Sequence, residues 1–258
     1  MNARNRMAST SAFNIVFTVI LFLAPGVRAQ TTNALSPSEI QGQQLAAEIL
    51  AATPVTNFTQ TGILRIHNSS GTTNIPITFR TEVDQGIWQV IYDAKMSGTW
   101  DSLKIVHQNG QPNQYLYYSA PAGSVISGQM HSLSQDQIMA PFAGSDFWIA
   151  DLGLEFFHWP EQKVTGHETR RTRACAVLES DNPNPSAGGY SRVVTWIDNE
   201  TLGIIYAEAY GVNGKLLKVF EPKRLKKVNG QWELEDIEVR NVQTHSRTWI
   251  LFNTNDNS

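Results

Sequence analysis

Cysteine is nearly absent: the 258-residue chain has one, Cys175. No internal disulfide can form, so the fold cannot lean on a covalent staple. A chain this long buries roughly 70% or more of its unfolded surface and needs none. Cys175 sits among Ala174, Ala176 and Val177, which reads as a small buried apolar residue rather than a reactive thiol. Metal-ligand spacing is also missing. The six histidines, His67, His107, His131, His158, His167 and His245, are scattered, with no H-x-x-x-H or H-E-x-x-H pair. His167 and Glu168 are adjacent, which sends them to opposite faces of a strand. There is no G-x-S-x-G elbow, P-loop, Rossmann glycine pattern or C-x-x-C, so no cofactor is expected.

Long apolar runs are missing too, except at the start. Ala12–Ala24 is apolar but short for a membrane span; Arg4 and Arg6 precede it and Val27-Arg28-Ala29 follows as a small-x-small site. Residues 1–29 are therefore expected to be a cleaved signal peptide, and residues 30–258 a single exported domain. Removing Arg4, Arg6 and Arg28 from 20 basic residues leaves 17 against 23 acidic ones, a net charge of −6. That balance argues against a nucleic-acid partner, which needs a basic face. The one basic run, Lys223-Arg224-Leu225-Lys226-Lys227, precedes Asn229-Gly230 and reads as a solvated hairpin end.

What is present is mostly strand. One helix comes first: Ser36 as N-cap, Pro37 at the first helical position and Glu39 closing a capping box, with Ile40, Leu45, Ile49 and Leu50 mainly on one face, and Pro54 ending it. From Phe58 onward the period changes to two. Ile75, Ile77, Phe79, Thr81 and Val83 share a face, as do Trp88, Val90 and Tyr92. Turn pairs such as Gln85-Gly86, Asn109-Gly110 and Asn213-Gly214 separate the strands. About ten or eleven short strands at this spacing predict one large curved antiparallel sheet or barrel.

The strand signal lapses over Met130–Trp159, which reads as a helical insertion. Its core is Gly144–Trp159 (GSDFWIADLGLEFFHW), the densest aromatic run after the leader. It predicts a helix laid on the sheet, with Asp146 as cap and Asp151 and Glu155 on a wet face. A catalytic role for these acids would require one of them to face inward beside a histidine. The many aromatics allow two readings: a filled sandwich core, or an open concave sheet whose apolar face takes acyl chains.

The motifs then narrow this. Gly144-Ser145-Asp146-Phe147…Asp151-Leu152 resembles the G-S-D-F-x-x-x-D-L stretch of the LolA-like, outer-membrane-lipoprotein-sorting proteins. Val164-Thr165-Gly166 with Cys175-Ala176-Val177-Leu178-Glu179, Tyr190…Val193…Trp196-Ile197-Asp198, and Tyr210…Gly214-Lys215…Lys218 follow in that family's order. Gly211 stands where the family's hairpin usually has Asp, and Ile149-Ala150 where it has Tyr-Glu. The resemblance implies a mainly β fold with α, a half-open antiparallel β-barrel with helices packed in its concave mouth. It further implies a periplasmic, non-enzymatic carrier of lipids or lipoprotein acyl chains in transit to the outer membrane, served by membrane-bound donor and acceptor proteins. The competing reading is an exported interaction or sensing module with the same fold and a filled core. The residues expected to line the cavity are Trp88, Tyr92, Phe147, Leu152, Phe156 and Trp196.

Overall fold

The computed structural model describes residues 34–122, 129–228 and 231–253. The expected leader, the Asn229-Gly230 turn and most of the Ala122–Gly128 loop lie outside the described residues. The first strands, β1 (Phe58–Asn68), β2 (Gly71–Asp84), β3 (Ile87–Lys95), β4 (Thr99–Gln108), β5 (Gln114–Pro121) and the two-residue β6 (His131–Ser132), form one meander. The second meander runs through β7 (Glu161–Arg170), β8 (Arg173–Asp181), β9 (Tyr190–Asp198), β10 (Ile204–Gly211), β11 (Leu216–Val228), β12 (Gln231–Asn241) and β13 (Arg247–Phe252). The two meanders join where β1 pairs antiparallel with β13, giving one sheet of 13 strands with β6 and β7 at its edges. The sheet does not close, so it is a half-open barrel. Its strand count exceeds the expected ten or eleven.

Local chemistry explains the connections. Gln85 and Gly86, alone between β2 and β3, both have positive φ (41° and 86°), as a two-residue hairpin loop of matching twist needs. Pro222 lies inside β11, where the pairing with β12 shifts register, so the missing N–H falls at a bulge.

The chain between β6 and β7 runs from one edge of the sheet to the other and fills the concave side. Its Phe142, Phe147, Ile149, Phe156 and Phe157 join Leu64, Ile77, Leu103, Leu178, Ile197 and Val239 of the sheet in one continuous core. The helix expected over Gly144–Trp159 is broken in two. One α-turn, α2 (Ile149–Leu152), and a 3₁₀ turn (Glu155–His158) are separated by Gly153 and by Leu154 in the left-handed region (φ 50°, ψ 40°). Gly153 packs so closely that a Cβ there would lie 2.2 Å from the Tyr115 hydroxyl. The break lets the chain bend between facing strands. The start of the insertion, expected to be helical, is instead β6 and a 3₁₀ turn at Gln137–Met139.

The first helix, α1 (Pro37–Ala51), begins as expected: the Glu39 N–H donates to the Ser36 hydroxyl (3.3 Å), and the Ser36 N–H donates to the Glu39 carboxylate (2.7 Å). Its docking face differs from the expectation. Gly42 and Ala46 are the buried residues, whereas Ile40 is 45% exposed. A Cβ on Gly42 would lie 2.4 Å from the Lys163 backbone nitrogen of β7. The helix thus lies backbone to backbone on the sheet edge, and the large residues Leu45, Ile49 and Leu50 only half-bury around that contact.

Candidate functional site

Two cavities lie on the concave side. The first, about 440 Å³, is almost wholly apolar and is walled by Phe79, Phe147, Phe156, Phe220, Ile250 and Phe252. The second, about 820 Å³, lies between α1, the β3–β4 strands with the turn after β4, and the end of the insertion. Both volumes are in the usual range of ligand pockets, roughly 300–1,000 Å³. Trp88, Val90, Tyr92, Leu152 and Leu154 border both cavities, so Leu152 and Leu154 stand between them.

Of the expected lining residues, Trp88, Tyr92 and Leu152 border both cavities, and Phe147 and Phe156 border the apolar one. Phe79 meets Tyr92 edge-on at 5.3 Å and Phe252 at 5.0 Å between ring centroids. Trp196 is elsewhere and lines neither cavity. Val193 and Ile197 of β9 belong to the main core, so Trp196 points to the opposite face. There it packs with Cys175, Val177, Tyr206 and Val219, donates its indole N–H to Glu168 (2.7 Å) and lies 4.7 Å from the Arg170 guanidinium. Period two decides this: one residue along a strand exchanges faces.

The three acids of the insertion are all buried, contrary to the wet-face expectation for Asp151 and Glu155. Asp146 is not the helix cap. Its carboxylate accepts from Ser246 (2.5 Å) and Thr248 (2.8 Å), bolting the insertion to β13 and the turn before it. Asp151 caps α2 instead, accepting the Trp148 N–H at 2.7 Å. The same oxygen accepts from Tyr190 (3.2 Å) and from Lys218 (3.3 Å), whose ammonium lies 3.7 Å from the Trp148 ring centroid. Burial pushes the Asp151 carboxyl up and the Lys218 ammonium down to about 8, and their mutual attraction opposes both shifts. Asp151 and Lys218 both belong to the sequence motifs, as does Tyr190. That membership was the available signal for the cluster, which spacing alone does not bring together.

Glu155 accepts from the Tyr115 hydroxyl (2.8 Å) and from Gln135 (3.0 Å), and burial raises its pKa. Neither Asp151 nor Glu155 has a histidine among its hydrogen-bond partners among the described residues, so the inward acids hold the insertion and form no acid–histidine pair. Asn113 donates to the Gly153 carbonyl (2.8 Å) and Tyr92 to that of Leu152 (3.2 Å), satisfying carbonyls freed where α2 ends. On the rim of the larger cavity His107 stacks on Trp88 at 3.8 Å, and burial holds its pKa down at about 4. Burial also lowers His158. Among the described residues no cluster of three potential metal ligands occurs.

Sequence comparison with curated proteins finds no match. Solved structures do match in fold. A DUF1329 family protein from Desulfovibrio piger superposes with a TM-score of 0.67 at 18% identity, over 85% of this chain and 92% of that one. A proposed outer membrane lipoprotein-sorting protein domain from Vibrio parahaemolyticus gives 0.68 at 19%, over 84% and 92%. A LolA superfamily protein from Nitrosomonas europaea gives 0.57 at 15%, over 85% and 93%. At these identities the likeness concerns the fold. A family model described as "-like: Uncharacterized protein" matches residues 89–256. The chain belongs to that family of uncharacterised proteins, and it is built on the LolA-like fold of the outer-membrane lipoprotein-sorting proteins.

Proposed function

We propose that this protein is a periplasmic, non-enzymatic carrier of lipids or lipoprotein acyl chains in transit to the outer membrane, exported by its N-terminal leader. The observation that carries the reading is the apolar cavity of about 440 Å³ on the concave face, where a filled core would leave none. Trp88, Tyr92, Phe147, Leu152 and Phe156 are its ligand-contacting residues. Each buried methylene contributes ~0.8 kcal/mol, so about ten of them supply roughly 8 kcal/mol before ordering costs, the scale of micromolar binding. The fold shared with lipoprotein-sorting domains supports the same class of cargo.

Loading requires a part that moves. The insertion is a poor choice, since Asp146, Asp151, Glu155 and the Asn113 and Tyr92 side chains tie it to both halves of the sheet. The first helix is the better one. Its cap is internal to the helix, its buried contact is Gly42 and Ala46, and among the described residues no hydrogen bond joins it to the sheet. It therefore lifts as a unit, re-exposing Ala46 and the half-buried Leu45, Ile49 and Leu50, while the insertion stays as a fixed floor. Membrane-bound donor and acceptor proteins would act by shifting that equilibrium, which needs a small gap between states. Native mass spectrometry of the protein purified from its own cells, with displacement of a fluorescent acyl probe, tests the proposal. Co-purifying lipid and saturable displacement are expected; absence of both would reject it in favour of an interaction module.

A further inference from the structure

The apolar cavity has an open end and a closed one. Along β1 the concave-facing residues pass from the buried Leu64 through the half-buried Gln60 to Phe58, which is 49% exposed. The same gradient runs from the buried Phe220 to the half-buried Pro222 on β11, and from Ile250 to Phe252 on β13. The mouth therefore lies on the side where β1 begins and β13 ends. At the other end the wall is the insertion, with Phe147, Asp151 and Phe156. Asp151 accepts from Lys218, four residues before Pro222 on β11, so about 13 Å of strand separates floor from mouth. Displacing Asp151 would part a buried ion pair next to hydrocarbon. Asp146 and Glu155 bolt the chain on either side of it, so the floor does not yield.

A methylene fills about the volume of one liquid water, roughly 30 Å³, so a cavity of about 440 Å³ holds about 15 of them. We infer that the apolar cavity takes one unbranched acyl chain, methyl end first, with a capacity of about 15 carbons, and that its cargo is a single-chain lipid. The inference rests on the acyl-carrier reading above. A second chain of that length needs as much space again. The larger cavity does not supply it on equal terms: the exposed carboxamides of Gln43, Gln108, Asn109 and Gln111 share its wall, and a chain lying there strips their water without replacing it. Two wall positions set the limit. Leu152 stands between the cavities, and Ala207 leaves room that a larger side chain would take.

The test is a series of saturated fatty acids from octanoate to octadecanoate, each competing below its aggregation concentration with a fluorescent acyl probe. Affinity should rise about fourfold per added carbon and level off at about 15 carbons. Monododecanoylglycerol and didodecanoylglycerol should bind within about tenfold of each other, because the second chain stays outside. Ala207→Phe should bring the plateau about three carbons shorter. Leu152→Ala, which opens the divider and fills nothing, should carry it about two carbons longer or more, and keeps the test alive where Ala207→Phe does not fold. Affinity that climbs through octadecanoate, a gain above about tenfold from the second chain, or a plateau that neither variant moves would overturn the capacity inference and leave the carrier reading standing. Binding at no chain length would overturn both.

Discussion

At the scale of single residues, the most consequential side chains are the buried Asp151 and Lys218. Their exposures of 7% and 1% place this ion pair inside the fold, away from solvent. Removing one partner leaves the other charge desolvated, so Lys218→Met should cost about 3–5 kcal/mol in urea unfolding. The double change Asp151→Asn with Lys218→Met should cost markedly less, and a strictly additive double-mutant cycle would contradict the pairing. His107 gives the pH counterpart. Its pKa of about 4 in the fold lies below its ordinary 6.5, so the unfolded chain takes a proton that the fold refuses. Its contribution is complete above about pH 6.5 and is lost as pH falls through about 4, roughly 2 kcal/mol after allowing for partial exposure. Unfolding midpoints measured across that window should fall with acid, and His107→Phe, which keeps the stack on Trp88, should flatten the slope. The sequence marked Asp151 and Lys218 as motif members but placed Asp151 on a wet face. Helical spacing assigns faces only where a helix runs on, and this one stops after a turn.

At the scale of elements, α1 and the insertion are held differently: side-chain hydrogen bonds tie the insertion to the sheet, whereas α1 rests on close packing at Gly42. The start of α1 was legible because Ser36, Pro37 and Glu39 act within four consecutive residues. Its docking face was not, because close approach of Gly42 to the Lys163 backbone outweighs the pull of Ile40. Gly42→Val should therefore push α1 off β7. The expected outcome is faster amide exchange across residues 37–51 and faster release of an acyl probe, with exchange in β8 and β9 unchanged. Protection retained in α1 would show that the helix tolerates the added carbons and that this contact does not hold the lid. The strands were legible almost throughout: the Tyr190…Asp198 motif coincides with β9, and the face of Ile75, Ile77, Phe79 and Thr81 is buried as period two requires. Trp196 went to the wrong side because the concave face of β9 is chosen by its neighbours β8 and β10, not by which residue is largest.

At the scale of the whole molecule, an open sheet of 13 strands buries its apolar face only by folding an insertion and a helix against it, and that cover leaves space between its parts. A ligand that fills the space binds the folded state alone. Acyl ligand at about a hundred times its dissociation constant should then stabilise the protein by about 2.7 kcal/mol, read as a rise in thermal midpoint that scales with the logarithm of ligand concentration. No change in midpoint with a ligand shown to bind would mean that the unfolded chain binds it equally well, so that binding needs no folded cavity.

Sequence by itself determined the period-two strands, the turns between them, the capped start of α1 and the ordered motifs that resemble the LolA-like proteins. These depend on neighbours in the chain, whose spacing is written in it. Only the tertiary structure decided that Asp146, Asp151 and Glu155 are bolts, that Lys218 lies 67 positions from its partner yet within 3.3 Å of it, and that Trp196 is outside. It also decided that carboxamides and imidazoles from α1, the turn after β4, the insertion and β7 surround one uncharged cavity. Such features depend on which strands become neighbours across a sheet that joins its two meanders at β1 and β13, and no local pattern carries that information.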